Sequence, residues 1–209
     1  MLVEIWSDVV CPWCYIGKRR LETALKDFEH ADDVEIVWRS FQLDPSHPKG
    51  VIEPTQANLA KKFGSPERIK QMQAQVGALA EAEGLHYDFD NAVSVNTFDA
   101  HRLLQLAKDH GLGAEAHERL MRANLIEART LDTDTLVELA DELGIPGDEA
   151  RKVLESDDYT DDVNKDIEQA RAYGASGVPF FVLDRKYGIS GAQPAELFLQ
   201  ALRTADADS

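Results

Sequence analysis

The sequence predicts an α/β fold in which a mixed four-stranded sheet is interrupted by a large all-helical insertion. Three observations lead there. Residues 2–43 read as strand, tight turn, helix and strand. Residues 44–161 repeat helical periodicity between Gly and Pro stops with no convincing strand pattern. Residues 180–190 read as a β-hairpin placed before a last helix.

Leu2 to Trp6 is a short apolar run with β-branched and aromatic members, broken by Ser7 and Asp8, which is the pattern of a buried strand. Pro12 stands where the first turn of a helix accepts proline, and Leu21, Ala24, Leu25 and Phe28 then recur at three- and four-residue spacing. Val34 to Leu43 alternates, with Val34, Ile36 and Trp38 set against Glu35, Val37 and Arg39, giving a second strand. So short a crossover favours parallel strands joined right-handedly, with the first strand's carboxyl end aimed at residues 11–14. In the middle stretch, Ser65 and Pro66 open a helix that Gly84 ends, and Asn96 caps another that Gly111 ends. Ala114 to Ala128, Asp132 to Leu143 and Pro146 to Glu155 continue the series. Asp157 to Tyr173, striped by Val163, Ile167 and Ala170, leads back to the sheet. Phe180 to Leu183 and Tyr187 to Ile189 flank a charged turn. Pro194 opens a helix carrying Leu197, Phe198 and Leu202, and Ala205 to Ser209 reads as a frayed tail. The expected division is residues 1–43 with 162–209 as one discontinuous domain and 44–161 as the insertion.

Composition narrows the function. With 44% hydrophobic and 29% charged residues the chain is of globular type, and 22 basic against 38 acidic residues give a net charge of −16. That balance argues against a nucleic-acid partner, because phosphate binding draws on clustered cations. The longest basic run, Lys18-Arg19-Arg20, reads as a solvated helix face. Neither an export signal nor an apolar run of membrane-spanning length is visible, so a cytoplasmic protein with no membrane partner is expected.

The chain has only two cysteines, Cys11 and Cys14. Two thiols three apart in the first turn of a helix lie on one side of it, within reach of a disulfide. The helix dipole favours a thiolate on the first of them, so Cys11 is the expected nucleophile and Cys14 the resolving thiol. The same spacing is also half of a tetrahedral zinc site, but the six histidines offer no second ligand pair, and no metal is expected. A pair of inert structural thiols is the remaining reading, disfavoured because Pro12 sets them at a helix tip.

Cys11-Pro12-Trp13-Cys14 after a first strand, the helical stretch, and Gly177-Val178-Pro179-Phe180-Phe181 before a hairpin together resemble the DsbA-like branch of thioredoxin-fold thiol–disulfide oxidoreductases. Within it, Ser7 to Cys14, Asn96 to Arg102 and Ser190 to Gln193 look most like the FrnE-like group, related to 2-hydroxychromene-2-carboxylate isomerases and kappa-class glutathione transferases. The resemblance implies a thioredoxin-like sheet and a cis Val178–Pro179 bond facing the cysteines. It also implies a substrate surface on Pro12, Trp13, Val178 and Pro179. Exported DsbA-like oxidants commonly carry His where Trp13 stands. Glutathione-dependent relatives carry Ser where Cys11 stands. The function so implied is a cytosolic thiol–disulfide oxidoreductase or isomerase acting on disulfide- or thiol-containing proteins or small thiols. It would bind no cofactor, and glutathione would serve as redox partner or cosubstrate. The alternative is a glutathione-dependent transferase or isomerase of an aromatic or polyketide-like small molecule. Asn96 and His101 admit two readings, as residues lining a cleft between insertion and sheet or as a helix cap and an ordinary helix residue. Trp6 is either substrate surface or core, and Glu4 and Asp8 stand equal as candidates to assist proton transfer from Cys14.

Overall fold

Strand β1 (Leu2–Ser7) is flanked on both sides within the sheet, which explains why its apolar run is unbroken but for Glu4. The computed structural model describes residues 1–208. The sheet order is β2 (Glu35–Ser40), β1, β5 (Phe180–Leu183), β6 (Tyr187–Ser190). β1 runs parallel to β2, from Leu2 opposite Glu35 to Ser7 opposite Ser40, and antiparallel to β5, from Val3 opposite Leu183 to Trp6 opposite Phe180. The sheet is therefore mixed and four-stranded, as expected.

Alternation along the strands divides the core. Val3, Ile5, Phe181 and Leu183 share one cluster with Ile16 and Leu21 of α1 (Pro12–Lys26) and with Phe198 and Leu202 of α9 (Ala195–Ala207). Trp6, Phe180 and Val182 point the other way and meet Ala170 of α8 (Thr160–Ala172). The fully buried Trp6 indole donates to the Asp166 carbonyl at 2.7 Å, which removes the penalty of an unpaired N–H. Trp6 is core, not substrate surface.

Between β2 and α8 the chain forms α2 (Thr55–Phe63), α3 (Pro66–Ala82), α4 (Phe98–Asp109), α5 (Gly113–Leu125), α6 (Thr133–Glu142) and α7 (Gly147–Leu154). Leu103, Leu120, Leu136, Leu139 and Ile145 make the core of α4 to α7 and the turns between them, and Val9 from the loop after β1 is part of that same cluster. One side chain of the cysteine loop is thus rooted in the helical layer.

Several expectations are corrected. Helix α2 was not foreseen. Its nine residues bury only Asn58, so the sequence shows no apolar stripe there. A two-residue ladder, β3 (Glu53–Pro54) with β4 (Val93–Ser94), breaks a stretch read as free of strands. The second strand begins at Glu35 and ends at Ser40. Lys18 is buried, and Lys18, Arg19 and Arg20 pair with Glu22, Glu118 and Glu83, so the basic run is an ion-pair seam between helices. The presumed tail is the end of α9: Ala205 is buried, and Asp208 accepts from the Tyr187 hydroxyl and, through its carbonyl, from Lys186 Nζ. Of that tail, Ser209 lies outside the described residues. Gly84 and Gly111 do end their helices, at φ 75° and 72°, the left-handed conformation that favours glycine.

Candidate active site

Cys11 is the N-cap of α1, with Pro12 in the first turn where its missing N–H costs nothing. The Asp8 carbonyl accepts from the Cys11 N–H and the Cys11 carbonyl from the Cys14 N–H, both at 3.0 Å. The two cysteines approach to 3.4 Å, and both are free thiols and nearly fully buried. Burial pushes the Cys14 thiol well above its usual range and the neighbouring Cys11 pushes it further, while the Ser7 hydroxyl and the Asp8 N–H pull it back. Cys14 holds its proton at neutral pH, and Cys11 sits where a helix N-terminus favours negative charge.

Opposite them, the Val178–Pro179 bond is cis, as the resemblance implies, and Cys11 Sγ donates to the Val178 carbonyl at 3.7 Å. Trp13 is 39% exposed. Val10, Pro12 and Trp13 form one wall of a mainly apolar cavity of about 280 Å³, closed on its other sides by α2, α3 and β4.

The cysteine loop is anchored by Asp8. Its buried carboxylate accepts from the Leu43 N–H at 2.8 Å and the Thr97 hydroxyl at 3.3 Å, and lies 3.2 Å from His101 Nε2. His101 is therefore fully buried and paired with Asp8. Asn96 accepts from the Phe98 N–H and from Gln42, and donates to the His47 carbonyl; the N-cap of α4 is Thr97, so Asn96 stands one residue before the cap position expected of it. Neither residue lines the cavity beside Trp13. Glu4 lies on the Arg39 side of β1, bonded at 2.6 Å and 3.0 Å. Of the two carboxylates considered for proton transfer, only Asp8 belongs to the cysteine loop.

Three contributors were not singled out from sequence. Tyr87 donates to the Pro12 carbonyl at 2.7 Å, and its phenol is pushed up first by burial and then by Cys11. Ser7 is the second. Gly17 is the third: a Cβ there would stand 3.0 Å from Pro179 Cγ and 3.2 Å from Phe181 Cζ, so its lack of a side chain lets α1 lie against the Pro179 loop. A glycine inside a good helix was the available signal for that close approach. For Tyr87 there was none.

The model of the DSBA-like thioredoxin domain family matches residues 2–203. The uncharacterized protein YwbO of Bacillus subtilis (strain 168) is 29% identical over 204 residues, covering 96% of this chain and 94% of that protein. Among solved structures, a probable DsbA oxidoreductase from Streptomyces coelicolor is 47% identical with a TM-score of 0.96, over 100% of this chain and 91% of that one. The cytosolic disulfide reductase DsbM from Pseudomonas aeruginosa, solved with glutathione, has a TM-score of 0.67 at 19% identity over 98% of each chain, a likeness of fold.

Proposed function

The chain belongs to the DSBA-like thioredoxin domain family, and from that premise we propose that it is a cytosolic thiol–disulfide oxidoreductase or isomerase using Cys11 as nucleophile and Cys14 as resolving thiol. In the reducing direction, the Cys11 thiolate attacks a disulfide R–S–S–R′, forming a Cys11–S–S–R bond and releasing R′S⁻. Cys14 gives up its proton and attacks Cys11 Sγ, releasing RS⁻ and leaving the Cys11–Cys14 disulfide. Two electrons pass from the dithiol to the substrate, and the reverse sequence oxidises one. The observation that carries this reading is the pair of free thiols 3.4 Å apart at a helix tip, with the Val178 carbonyl in contact with the first.

Pro12, Trp13, Val178 and Pro179 flank the reacting sulfur, and the Val178 backbone is suited to pairing with an extended substrate chain. The fold likeness to DsbM, solved with glutathione, favours glutathione as the small thiol that resets the pair. Among the described residues no helix is long and apolar enough to cross a membrane, which is compatible with cytosolic action. The test is a Cys14→Ser variant, which should accumulate a mixed disulfide between Cys11 and substrate. Failure to trap any adduct with disulfide peptides, under conditions where the wild-type protein reduces them, would remove Cys14 from the resolving role.

A further inference from the structure

Segments far apart in sequence converge on one carboxylate. Asp8 follows β1 at the start of the cysteine turn, and its backbone touches both redox residues: the carbonyl accepts from the Cys11 N–H at 3.0 Å, and the N–H is directed at the Cys14 sulfur. Its side chain is held from outside the turn, by the Leu43 N–H, the Thr97 hydroxyl and His101 Nε2. Of these, His101 stands inside α4, where residues 100–107 are all buried, so its backbone is not free to follow a displaced turn. The ring is fully buried, and Asp8 is its one hydrogen-bond partner among the described residues, because Nδ1 is buried unpaired. His117 of α5, close enough to act on it electrostatically, is unpaired at both ring nitrogens and does not fix its orientation. A buried polar ring left half-satisfied costs stability. A leucine would sit beside Leu103 and Leu104 in the same apolar cluster without that cost. What a histidine adds at this position is the bond to Asp8.

We propose that His101 is a positioning residue for thiol–disulfide exchange: through Asp8 it sets the cysteine turn so that Cys14 reaches Cys11. The assignment rests on the oxidoreductase reading above. The step it serves is resolution of the mixed disulfide. There Cys14 gives up its proton and attacks Cys11 Sγ, the Cys11–Cys14 bond forms, the bond from Cys11 to the substrate sulfur breaks, and the substrate leaves as a thiolate whose charge the released proton balances. Resolution needs the two sulfurs held at their 3.4 Å approach. The first attack does not, because Cys11 makes it alone on a disulfide arriving beside Val178. With His101 gone, Asp8 keeps only the Leu43 and Thr97 donors, and the turn that spans both cysteines loses its tie to α4.

The experiment follows the two steps separately in a single turnover. Reduced protein is mixed with the homodimeric disulfide of a short glycine-flanked cysteine peptide, quenched in acid at successive times, alkylated and weighed. Mass then distinguishes the dithiol, the Cys11–peptide adduct and the intramolecular disulfide. His101→Leu removes the donor, His101→Asn keeps an amide too short to reach Asp8, and His101→Gln carries an amide nitrogen at about the reach of Nε2. A turn displaced by half an ångström should slow resolution about tenfold in the Leu and Asn variants, since 1 Å can cost about a hundredfold. Adduct formation should stay within about twofold of the wild-type rate, so the adduct accumulates. His101→Gln should bring both steps back to within about twofold. Thermal unfolding of each variant confirms that it is folded at the assay temperature, and a merely structural role would leave the ratio of the two steps unmoved. Resolution at the wild-type rate in the Leu and Asn variants, equal slowing of both steps, or a Gln variant as slow as the other two overturns the assignment. If the wild-type protein forms neither adduct nor intramolecular disulfide, it is the oxidoreductase reading that fails.

Discussion

Gly17→Ala is the perturbation whose consequence follows most directly from the geometry. The added Cβ would stand 3.0 Å from Pro179 Cγ and 3.2 Å from Phe181 Cζ, whereas carbon atoms settle at about 3.5–4.0 Å. About 0.5 Å must therefore be found. Phe181 cannot supply it, being fully buried and set edge-on against Phe198 with ring centroids 4.7 Å apart. The Pro179 loop must move, although its carbonyl is tied at 2.8 Å to the Gly191 N–H. Two contributions compete in stability. Replacing glycine within a helix gains about 1 kcal/mol, and overpacking costs about 1–3 kcal/mol. The net is a loss of roughly 0–2 kcal/mol, or a few degrees in Tm for a chain of this size. The effect on exchange is less balanced, because the displaced loop carries the Val178 carbonyl that contacts Cys11 Sγ. Since a 1 Å misplacement can cost about a hundredfold, half of that should slow kcat/KM for disulfide exchange by about tenfold. Steady-state exchange with a peptide disulfide, run beside thermal unfolding, reads both numbers. A variant at full rate with a raised Tm would refute the reasoning, since it would mean that α1 and the Pro179 loop are not held in contact.

Tyr87→Phe removes the hydroxyl that donates to the Pro12 carbonyl and should cost about 1 kcal/mol in urea unfolding. Asp8→Ala leaves the Leu43 N–H and the Thr97 hydroxyl without their acceptor and should cost about 2–4 kcal/mol by the same measurement, with slower exchange. His117 is buried and stacked on Trp38 at 4.3 Å, and burial first, then His101, holds it well below its usual 6.5. The unfolded chain then binds more protons below pH 6.5, so stability falls as pH drops through that value, by up to about 1.4 kcal/mol per unit. His117→Phe, which keeps a ring on Trp38, should flatten that slope. Burial raises Glu118, but bonds from Arg19, Lys18 and Tyr15 outweigh it and bring it from 4.5 down to about 2. Its contribution is complete above pH 4.5 and lost toward pH 2, so Glu118→Gln should destabilise at pH 7 by about 1–2 kcal/mol after solvent screening and leave a shallower acid limb.

How far the sequence disclosed this arrangement depended on how locally each feature is encoded. The parallel β1–β2 pair, the hairpin, and the cysteines at the start of α1 all rest on contiguous patterns, and each is found in its expected place, with the second strand shorter at both ends. Helix α2 was invisible because it lies on the surface with a single buried residue, so periodicity had nothing to register. Lys18-Arg19-Arg20 was misread for the opposite reason. Its partners Glu83 and Glu118 lie far along the chain, and only the packing of α1 on its neighbours shows that the charges are paired. The candidate site divides the same way. Cys11, Cys14 and Pro179 announce themselves by motif, while the anchoring of the loop through Asp8, His101 and Tyr87 comes from contacts spanning 75 to 93 residues. His101 alone carried no sign that its partner would be a carboxylate in the cysteine loop. The likeness of Asn96 to Arg102 to a known group marked that segment without saying what each residue does.

The central claim is that Cys11 and Cys14 form one reversible redox unit. The most direct measurement equilibrates the purified protein across a series of reduced-to-oxidised glutathione ratios, quenches it by alkylation, and weighs it. The account predicts a single two-electron transition between a dithiol and an intramolecular Cys11–Cys14 disulfide, lost in either single Cys→Ser variant. Its midpoint then shows whether the protein works mainly as a reductant or an oxidant. Two thiols that stay reduced or carry only glutathione adducts at every ratio, with no intramolecular disulfide, would contradict it.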